Sequence, residues 1–234
     1  MEPILKWAGG KRWQLPVLRE IIGQVAGVDR IVEPFAGGAA LSFGLERVET
    51  HLNDVNPYLI NLYRHVAAGG FTIRTGLDRV NYNARRAEFN ERREELSGER
   101  LAELFYYLIR CGFNGLCRFN KAGGFNVPVG RGAGTIHPHD FDAYAQVMQY
   151  WTYSVGDFEN VRPRKTTDFI YADPPYDEGF TAYTGETFSW ASQQRLARWL
   201  ALHDGPSVAT NLATERVLAL YQDYGFQTYL LPAP

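Results

Sequence analysis

The stretch that most constrains this chain is Asp168-Phe169-Ile170-Tyr171-Ala172-Asp173-Pro174-Pro175-Tyr176. Phe169 to Ala172 is an unbroken apolar run with aromatic and β-branched members, the pattern of a strand buried on both faces. Pro174 and Pro175 each fix φ and remove a backbone donor, so the strand must stop at Asp173. What remains is a rigid corner with one carboxylate, carbonyls that have no ladder partner, and an aromatic ring. In open α/β sheets, ligand sites form beyond the carboxyl ends of strands. Asp-Pro alone describes a proline turn; the four residues together after an apolar strand point to a site.

Two upstream segments end the same way. Ile31-Val32-Glu33-Pro34-Phe35-Ala36-Gly37-Gly38-Ala39-Ala40-Leu41 reads as a strand, a tight glycine turn and a helix running through Ser42 to Arg47. This is the first βα unit of a doubly wound fold, with a helix N-terminus facing the site. It is neither G-x-G-x-x-G nor a P-loop, and Glu33 at the strand end suits a cationic ligand better than a pyrophosphate. A second strand, His51 to Asn53, leads to Asp54-Val55-Asn56-Pro57 and a helix from Tyr58 to about Ala67. Asp54 stands where Rossmann-like folds place the acid that binds ribose hydroxyls, and it is also a candidate N-cap for that helix. Near the start, Trp7-Ala8-Gly9-Gly10-Lys11 is a glycine turn that offers a stacking face and a cation. A core-anchor role for Trp7 is the alternative. A helix with Leu15, Leu18, Ile21 and Ile22 on one side follows.

From Phe71 to Tyr150 the alternation of strand and helix breaks off. Arg74 to Glu95 and Glu99 to Ile109 read as polar helices with paired charges. They lead into Cys111 to Arg131, where alternating residues flank Gly123-Gly124, the signal of a hairpin. This ribbon carries Arg118, Asn120, Lys121, Asn126 and Arg131 among aromatics, and no Asp or Glu occurs from Leu104 to His139. Such a ribbon fits a major groove. The sheet resumes with strands at Thr152–Val155, Phe169–Ala172 and Ser207–Thr210, and a last one at Gln227–Leu231. Helices are expected at Ser192–Leu202 and Ala213–Tyr224, and Asp177–Thr187 reads as a mobile lid. The expected organisation is an α/β catalytic domain from residues 1–70 and 151–234, interrupted by a recognition insertion at 71–150.

The net charge of −2 argues against a protein that coats nucleic acid, yet the basic stretches suit a local polyanion face. No apolar run reaches the roughly 18 residues of a membrane span, and no signal-peptide pattern opens the chain. Cys111 and Cys117 are too few for a disulfide framework or a zinc set, so a reducing cytoplasm and no bound metal are expected.

Glu33, Asp54 and Asp173 would share one rim, which is a poor host for phosphates. It suits a ligand with a ribose, an amine and a positive centre, and S-adenosylmethionine has all three. The Asp-Pro-Pro-Tyr corner then suggests the methyl acceptor. An adenine N6 amine is a weak nucleophile because its lone pair is delocalised. Asp173 and the Pro174 carbonyl can accept its two N–H bonds and free that pair, while Tyr176 stacks on a base that has left the duplex.

Five ordered blocks bring a resemblance into view: Lys6-Trp7-Ala8-Gly9-Gly10-Lys11, Glu33-Pro34-Phe35-Ala36-Gly37-Gly38, Asp54-Val55-Asn56, Phe113-Asn114-Gly115-Leu116-Cys117-Arg118 with Phe125-Asn126-Val127-Pro128, and Asp173-Pro174-Pro175-Tyr176. In content and order they resemble the Dam family of DNA adenine-N6 methyltransferases, over nearly the whole chain. The resemblance implies a Rossmann-like methyltransferase sheet and cofactor contacts from Trp7, Lys11, Glu33, Phe35, Asp54 and Asp173. It implies catalysis by Asp173, Pro174 and Tyr176 on double-stranded DNA, with GATC as the expected site. Lys6 would meet the outer guanine, Asn114 would fill the gap left by the flipped base, and Leu116, Arg118 and Pro128 would read the other pairs. Asn120 and Arg131 complete the expected DNA face. A bacterial or phage-encoded protein is implied; with no obvious dimer segment in the chain, a monomer without an obligate protein partner is expected. The family pattern continues with a basic segment and a further strand past Leu230-Leu231-Pro232-Ala233-Pro234, so a sheet ending there would lack an edge.

Other chemistries fit less well. Cytosine C5 methylation needs a cysteine that usually follows a proline, which neither cysteine does. Cytosine N4 methylation is closer, but Asp rather than Ser before Pro-Pro favours adenine. RNA would suit a hairpin reader less than duplex DNA. A DNA-binding protein with a vestigial site is opposed by the intact Asp54 and Asp173 motifs.

Overall fold

The computed structural model describes residues 1–46, 49–74, 76–131, 139–164, 166–177 and 188–232. Its centre is a parallel sheet of β1 (Arg30–Glu33), β2 (Glu49–Asp54), β3 (Trp151–Val155), β4 (Asp168–Ala172) and β5 (Ser207–Ala209), in the order β3-β2-β1-β4-β5. The chain leaves β1 towards β2 on one side and returns to β4 on the other, which makes the β1–β4 border the topological switch point. Glu33 ends β1 there, and Asp173 follows the last residue of β4.

Strand alternation sorts the two central strands onto two cores. Ile31, Phe169 and Tyr171 pack with Leu18 and Ile22 of α1 (Leu15–Gln24) and Leu41 of α2 (Ala40–Leu45). Val32, Ile170 and Ala172 face the other way, onto Leu196 and Leu200 of α7 (Trp190–Ala201) and Val217 and Tyr221 of α8 (Glu215–Asp223). All five residues of β4 are buried, as the apolar run requires. The bottom of β4 is tied by Arg30, whose Nε and Nη2 donate to the two carboxylate oxygens of buried Asp168.

Residues 71–150 do not form a separate core. Leu104 to Ile109 of α5 (Gly98–Cys111) pack with Leu59, Ile60, Leu62 and Tyr63 of α3 (Pro57–Ala67), and with Leu52 of β2. Phe141, Tyr144 and Met148 of α6 (Phe141–Met148) join the same cluster. The expectation of a polar helix at Glu99–Ile109 is therefore corrected. Its charges stand only in the first turns, where Arg100 pairs with Glu103 at 2.6 Å and with Glu88 at 2.8 Å. From Leu104 on, every residue to Ile109 is buried, because the helix is enclosed rather than laid on a surface. The earlier polar segment is helical only as α4 (Tyr82–Arg92).

The hairpin forms as a loose pair with antiparallel bridges Phe119–Phe125 and Gly112–Val129. Helix α4 acts as its third partner: Asn90 donates to the Phe125 carbonyl and accepts from its N–H, and Tyr82 and Arg86 donate to the Val127 carbonyl. The last predicted strand is a correction. Residues 227–231 carry no strand, and Tyr229 and Leu230 are exposed, because no neighbouring described strand offers them a ladder. Apart from Asp177, the expected lid at Asp177–Thr187 lies outside the described residues, as do the end of the first βα helix at Arg47 and residues 132–138. Among the described residues no helix is long and apolar enough to cross a membrane.

Candidate active site

A cleft of about 650 Å³ opens along the carboxyl ends of β1 to β4. Its lining includes Trp7, Lys11, Glu33, Phe35, Asp54, Asp173, Pro174 and Tyr176, so the expected cofactor and catalytic residues are brought together. The glycine turn explains how Trp7 reaches it. Gly37 has φ +44°, and a Cβ on Gly37 or Gly38 would come within 3.0 Å of the Trp7 side chain. Only glycine lets the indole lie directly on this turn. Tyr63 holds the turn from below by donating to the Gly37 carbonyl at 2.6 Å.

The two readings of Asp54 separate here. Helix α3 is capped by Asn56, whose side-chain oxygen accepts from Tyr58 and Leu59 N–H. Asp54 instead accepts from Gly37 N–H at 3.0 Å and Asn56 N–H at 2.9 Å, which fixes its carboxylate on the rim. Burial pushes its carboxyl up, and these two donors hold it back.

Asp173 has a donor on each oxygen. Thr210 Oγ1 donates to Oδ1 at 2.6 Å, and Lys11 Nζ lies 3.1 Å from Oδ2. Burial raises the carboxyl, against the pull of Lys11, Thr210 and Tyr176. For Lys11, burial works downward but is outweighed by Asp173 and Tyr176, so the ammonium is held above its ordinary range. Lys11 also donates to the Gly9 carbonyl and sits 4.7 Å over the Tyr176 ring. The cation expected to face a ligand is thus committed to the Asp173-Pro174-Pro175-Tyr176 corner. The neighbouring carbonyls differ. Gln193 Nε2 donates to Pro175 O at 2.9 Å, while Pro174 O accepts no hydrogen bond from any described residue.

Glu33 is 2% exposed and accepts from both the N–H and the hydroxyl of Ser42. Burial, opposed by those bonds and assisted by Asp173, raises its pKa from an ordinary 4.5 to about 7. The folded protein therefore prefers Glu33 protonated, and the stability this gives is complete below pH 4.5 and lost as pH rises through about 7. We predict that Glu33→Gln removes about 3 kcal/mol of this pH dependence. Urea unfolding of both proteins between pH 4.5 and 8 checks it; identical slopes would contradict the assignment.

Sequence reasoning passed over the far end of the cleft. Phe35, Phe158 and Phe188 form an aromatic group with centroids 5.4 to 6.1 Å apart. Beside them Asp157 accepts from Glu159 N–H at 2.9 Å and pairs with Arg195 at 2.8 Å, through Oδ1 in both cases. The signal was Gly156-Asp157-Phe158 directly after β3, a strand-end acid like Asp54. Thr210, one residue beyond β5, was also missed.

The expected DNA contacts lie outside the cleft lining, on the hairpin and the N-terminal turn. Lys6, Asn114, Pro128 and Arg131 are exposed, and Leu116 is half-buried against the main core. Lys6 and Asn114 are neighbours, since Gly115 packs against the Lys6 backbone. Arg118 is held across the ribbon by Asn126, donating to its side-chain oxygen at 2.8 Å and its carbonyl at 3.3 Å. The Asn120 side-chain oxygen accepts from Ala122 and Gly124 N–H, so it shapes the hairpin tip.

A doubly wound parallel sheet, with acids at or just past the ends of β1 to β4 and a proline-stopped aspartate at the switch point, defines a Rossmann-like methyltransferase. The model of the family described as D12 class N6 adenine-specific DNA methyltransferase matches residues 7–231. The chain is 33% identical to the retron Ec67 DNA adenine methylase of Escherichia coli, over 96% of this chain and 82% of that one. It is 31% identical to the type II methyltransferase M1.LlaDCHI of Lactococcus lactis subsp. cremoris, over 96% and 86%. With the DNA N-6-adenine-methyltransferase of Escherichia phage P1 it shares 34% identity over 96% of its own length, but only 31% of that longer chain. The chain belongs to the D12 class of N6 adenine-specific DNA methyltransferases. Its activity class is S-adenosylmethionine-dependent methylation of adenine in DNA.

Proposed function

We propose that this protein methylates N6 of an adenine flipped out of duplex GATC, acting as a monomer in a bacterial or phage-infected cytoplasm, with residues 71–150 as its target-recognition unit. The observation that carries the reading is the corner itself. Asp173 is oriented by Lys11 and Thr210, and the adjacent Pro174 carbonyl accepts from no described residue while that of Pro175 is occupied. A carboxylate has about four acceptor sites, so beyond its bonds to Lys11, Thr210 and Tyr176 Asp173 keeps room for a further donor. Asp173 and Pro174 O can therefore take the two N–H bonds of an exocyclic amine and draw its lone pair out of the ring. Tyr176 supports the base by stacking on the face away from Lys11.

The residues along the cleft fit S-adenosylmethionine, which when bound supplies a methyl group on a sulfonium centre. Asp54 presents a fixed carboxylate to ribose hydroxyls. Phe35 and Phe158 offer an apolar slot for a purine, and Asp157 offers an acceptor at its edge. Trp7 and Glu33 border the end near Asp173, where the binding of an amine or a positive centre draws Glu33 into its ionised form. Lys6, Asn114, Leu116, Arg118, Asn120, Pro128 and Arg131 form the DNA face, Asn120 by shaping the tip that carries the others. The test is tritium transfer from labelled S-adenosylmethionine onto duplexes with and without GATC. Transfer confined to GATC adenines is expected; tight binding with transfer to neither would overturn the reading.

Because Arg118 is pre-oriented by Asn126, its remaining guanidinium donors meet a base edge without reorganisation. Arg118→Ala is expected to reduce discrimination between GATC and single-mismatch duplexes by roughly 1–3 kcal/mol. Competition binding at several salt concentrations checks this. A uniform loss on all sequences with a smaller salt slope would make Arg118 a phosphate contact instead.

A further inference from the structure

We propose that Thr210 is a positioning residue for the methyl transfer, setting the orientation and ionisation of Asp173; this rests on the amine-activating role given to Asp173 above. Strand β5 ends at Ala209, but Thr210 N–H still donates to the Ala172 carbonyl at 2.9 Å, one rung beyond the ladder. That rung brings Thr210 Oγ1 to 2.6 Å from Asp173 Oδ1, on the opposite oxygen from Lys11. Two donors from separate elements, one at each oxygen, leave the carboxylate no freedom to rotate about its side-chain torsions.

The next residue fixes the other half of the corner. Asn211 Oδ1 accepts from Asp177 N–H at 3.1 Å, and its Nδ2 donates to Gln193 Oε1 at 2.9 Å. Gln193, fully buried, passes this on to the Pro175 carbonyl. The residues just past β5 thus hold both the carboxylate and the carbonyl side of Asp173-Pro174-Pro175-Tyr176. Without the hydroxyl, Asp173 Oδ1 is free to swing towards Lys11 and away from the acceptor amine. Such a loss falls on the chemical step, because Thr210 lines neither the cofactor cleft nor the hairpin face.

Thr210→Val keeps the shape and removes the donor, while Thr210→Ser keeps the donor. The groups facing Asp173 are Lys11 from the N-terminal turn, Glu33 of β1, Tyr171 of β4 and Tyr176 of the corner, and all remain in both variants. Loss of a neutral donor to the carboxylate moves its titration upward, so the acid limb of the kcat profile moves to higher pH. The expected result for Thr210→Val is a kcat lower by roughly ten- to a hundredfold with KM for both substrates within about threefold, and for Thr210→Ser recovery to within about threefold. A carbon NMR titration of the Asp173 carboxyl, assigned with Asp173→Asn, should show the same upward move in Thr210→Val. An unchanged midpoint, or a Thr210→Val kcat equal to wild type, would overturn the proposal. If the wild-type protein transfers no methyl to adenine, the amine-activation reading fails instead, and the NMR midpoint still decides whether Thr210 holds Asp173.

Discussion

Asp173→Ala is expected to lower methyl transfer by roughly a thousandfold or more, the scale of losing a transition-state acceptor in a closed site. Affinity for DNA should stay within a few-fold of wild type. The carboxylate is the group that would take the amine proton bond as positive charge develops on nitrogen, so its interaction is stronger in the transition state than in the ground state. The substitution also leaves Lys11 without its partner at 3.1 Å and Thr210 without its acceptor. Lys11 then turns further over the Tyr176 ring, which does nothing to restore an acceptor for the amine. The hairpin residues expected to meet DNA and the packing of Gly115 against Lys6 lie outside the cleft lining, so recognition survives. Single-turnover transfer and gel-shift titration on the same GATC duplex separate the two effects. A variant that kept more than a few per cent of wild-type turnover would remove Asp173 from the chemistry.

Gly115→Ala should have the second largest effect. Gly115 has φ +66°, and a Cβ there would stand 2.0 Å from the Lys6 carbonyl oxygen. The atom in the way is backbone, so no side-chain rotation relieves the overlap. Either the 113–116 loop lifts, or the N-terminal turn moves and takes Trp7 with it off the Gly37–Gly38 turn. Lifting is the smaller change, since Trp7 lies so close on that turn that a Cβ on Gly37 or Gly38 would stand 3.0 Å from its side chain. Asn114 rides on the loop in a left-handed conformation of its own, with φ 53°. Its displacement by an ångström or more is expected to lower kcat/KM on GATC by about a hundredfold. S-adenosylmethionine affinity and affinity for DNA lacking GATC should stay close to wild type. Isothermal titration and steady-state kinetics check this; a kcat/KM within threefold of wild type would mean that the contact carries no functional weight.

Several features needed no structure. The strand Phe169–Ala172 and its stop at Asp173 follow from an apolar run and two prolines, both local in sequence. The glycine turn after Glu33 and the Gly123-Gly124 hairpin tip are equally local, and all three stand in the structure. Patterns failed where the partner of a segment decides its state. Helix α5 begins with charges that suggest a solvated face, yet α3 and α6 enclose it from Leu104 on. Residues 227–231 have the composition of a strand, but a strand exists only beside another. Asp54 and Asn56 are both good caps on paper, and the choice of Asn56 freed Asp54 for the rim.

The sequence by itself determined the chemistry on offer: an aspartate at a proline corner, a glycine turn made for a close-lying aromatic ring, and a basic ribbon without acids. Motif order and spacing carry that information, because each block is a few contiguous residues with its own conformational requirement. Tertiary structure alone decided how those groups are held. Thr210 reaches Asp173 across 37 residues, Gln193 reaches Pro175 across 18, and Gly115 meets Lys6 through the packing of two distant loops. Such contacts arise from strand order and helix packing, which bring residues together without leaving a periodic or spacing signal in the chain.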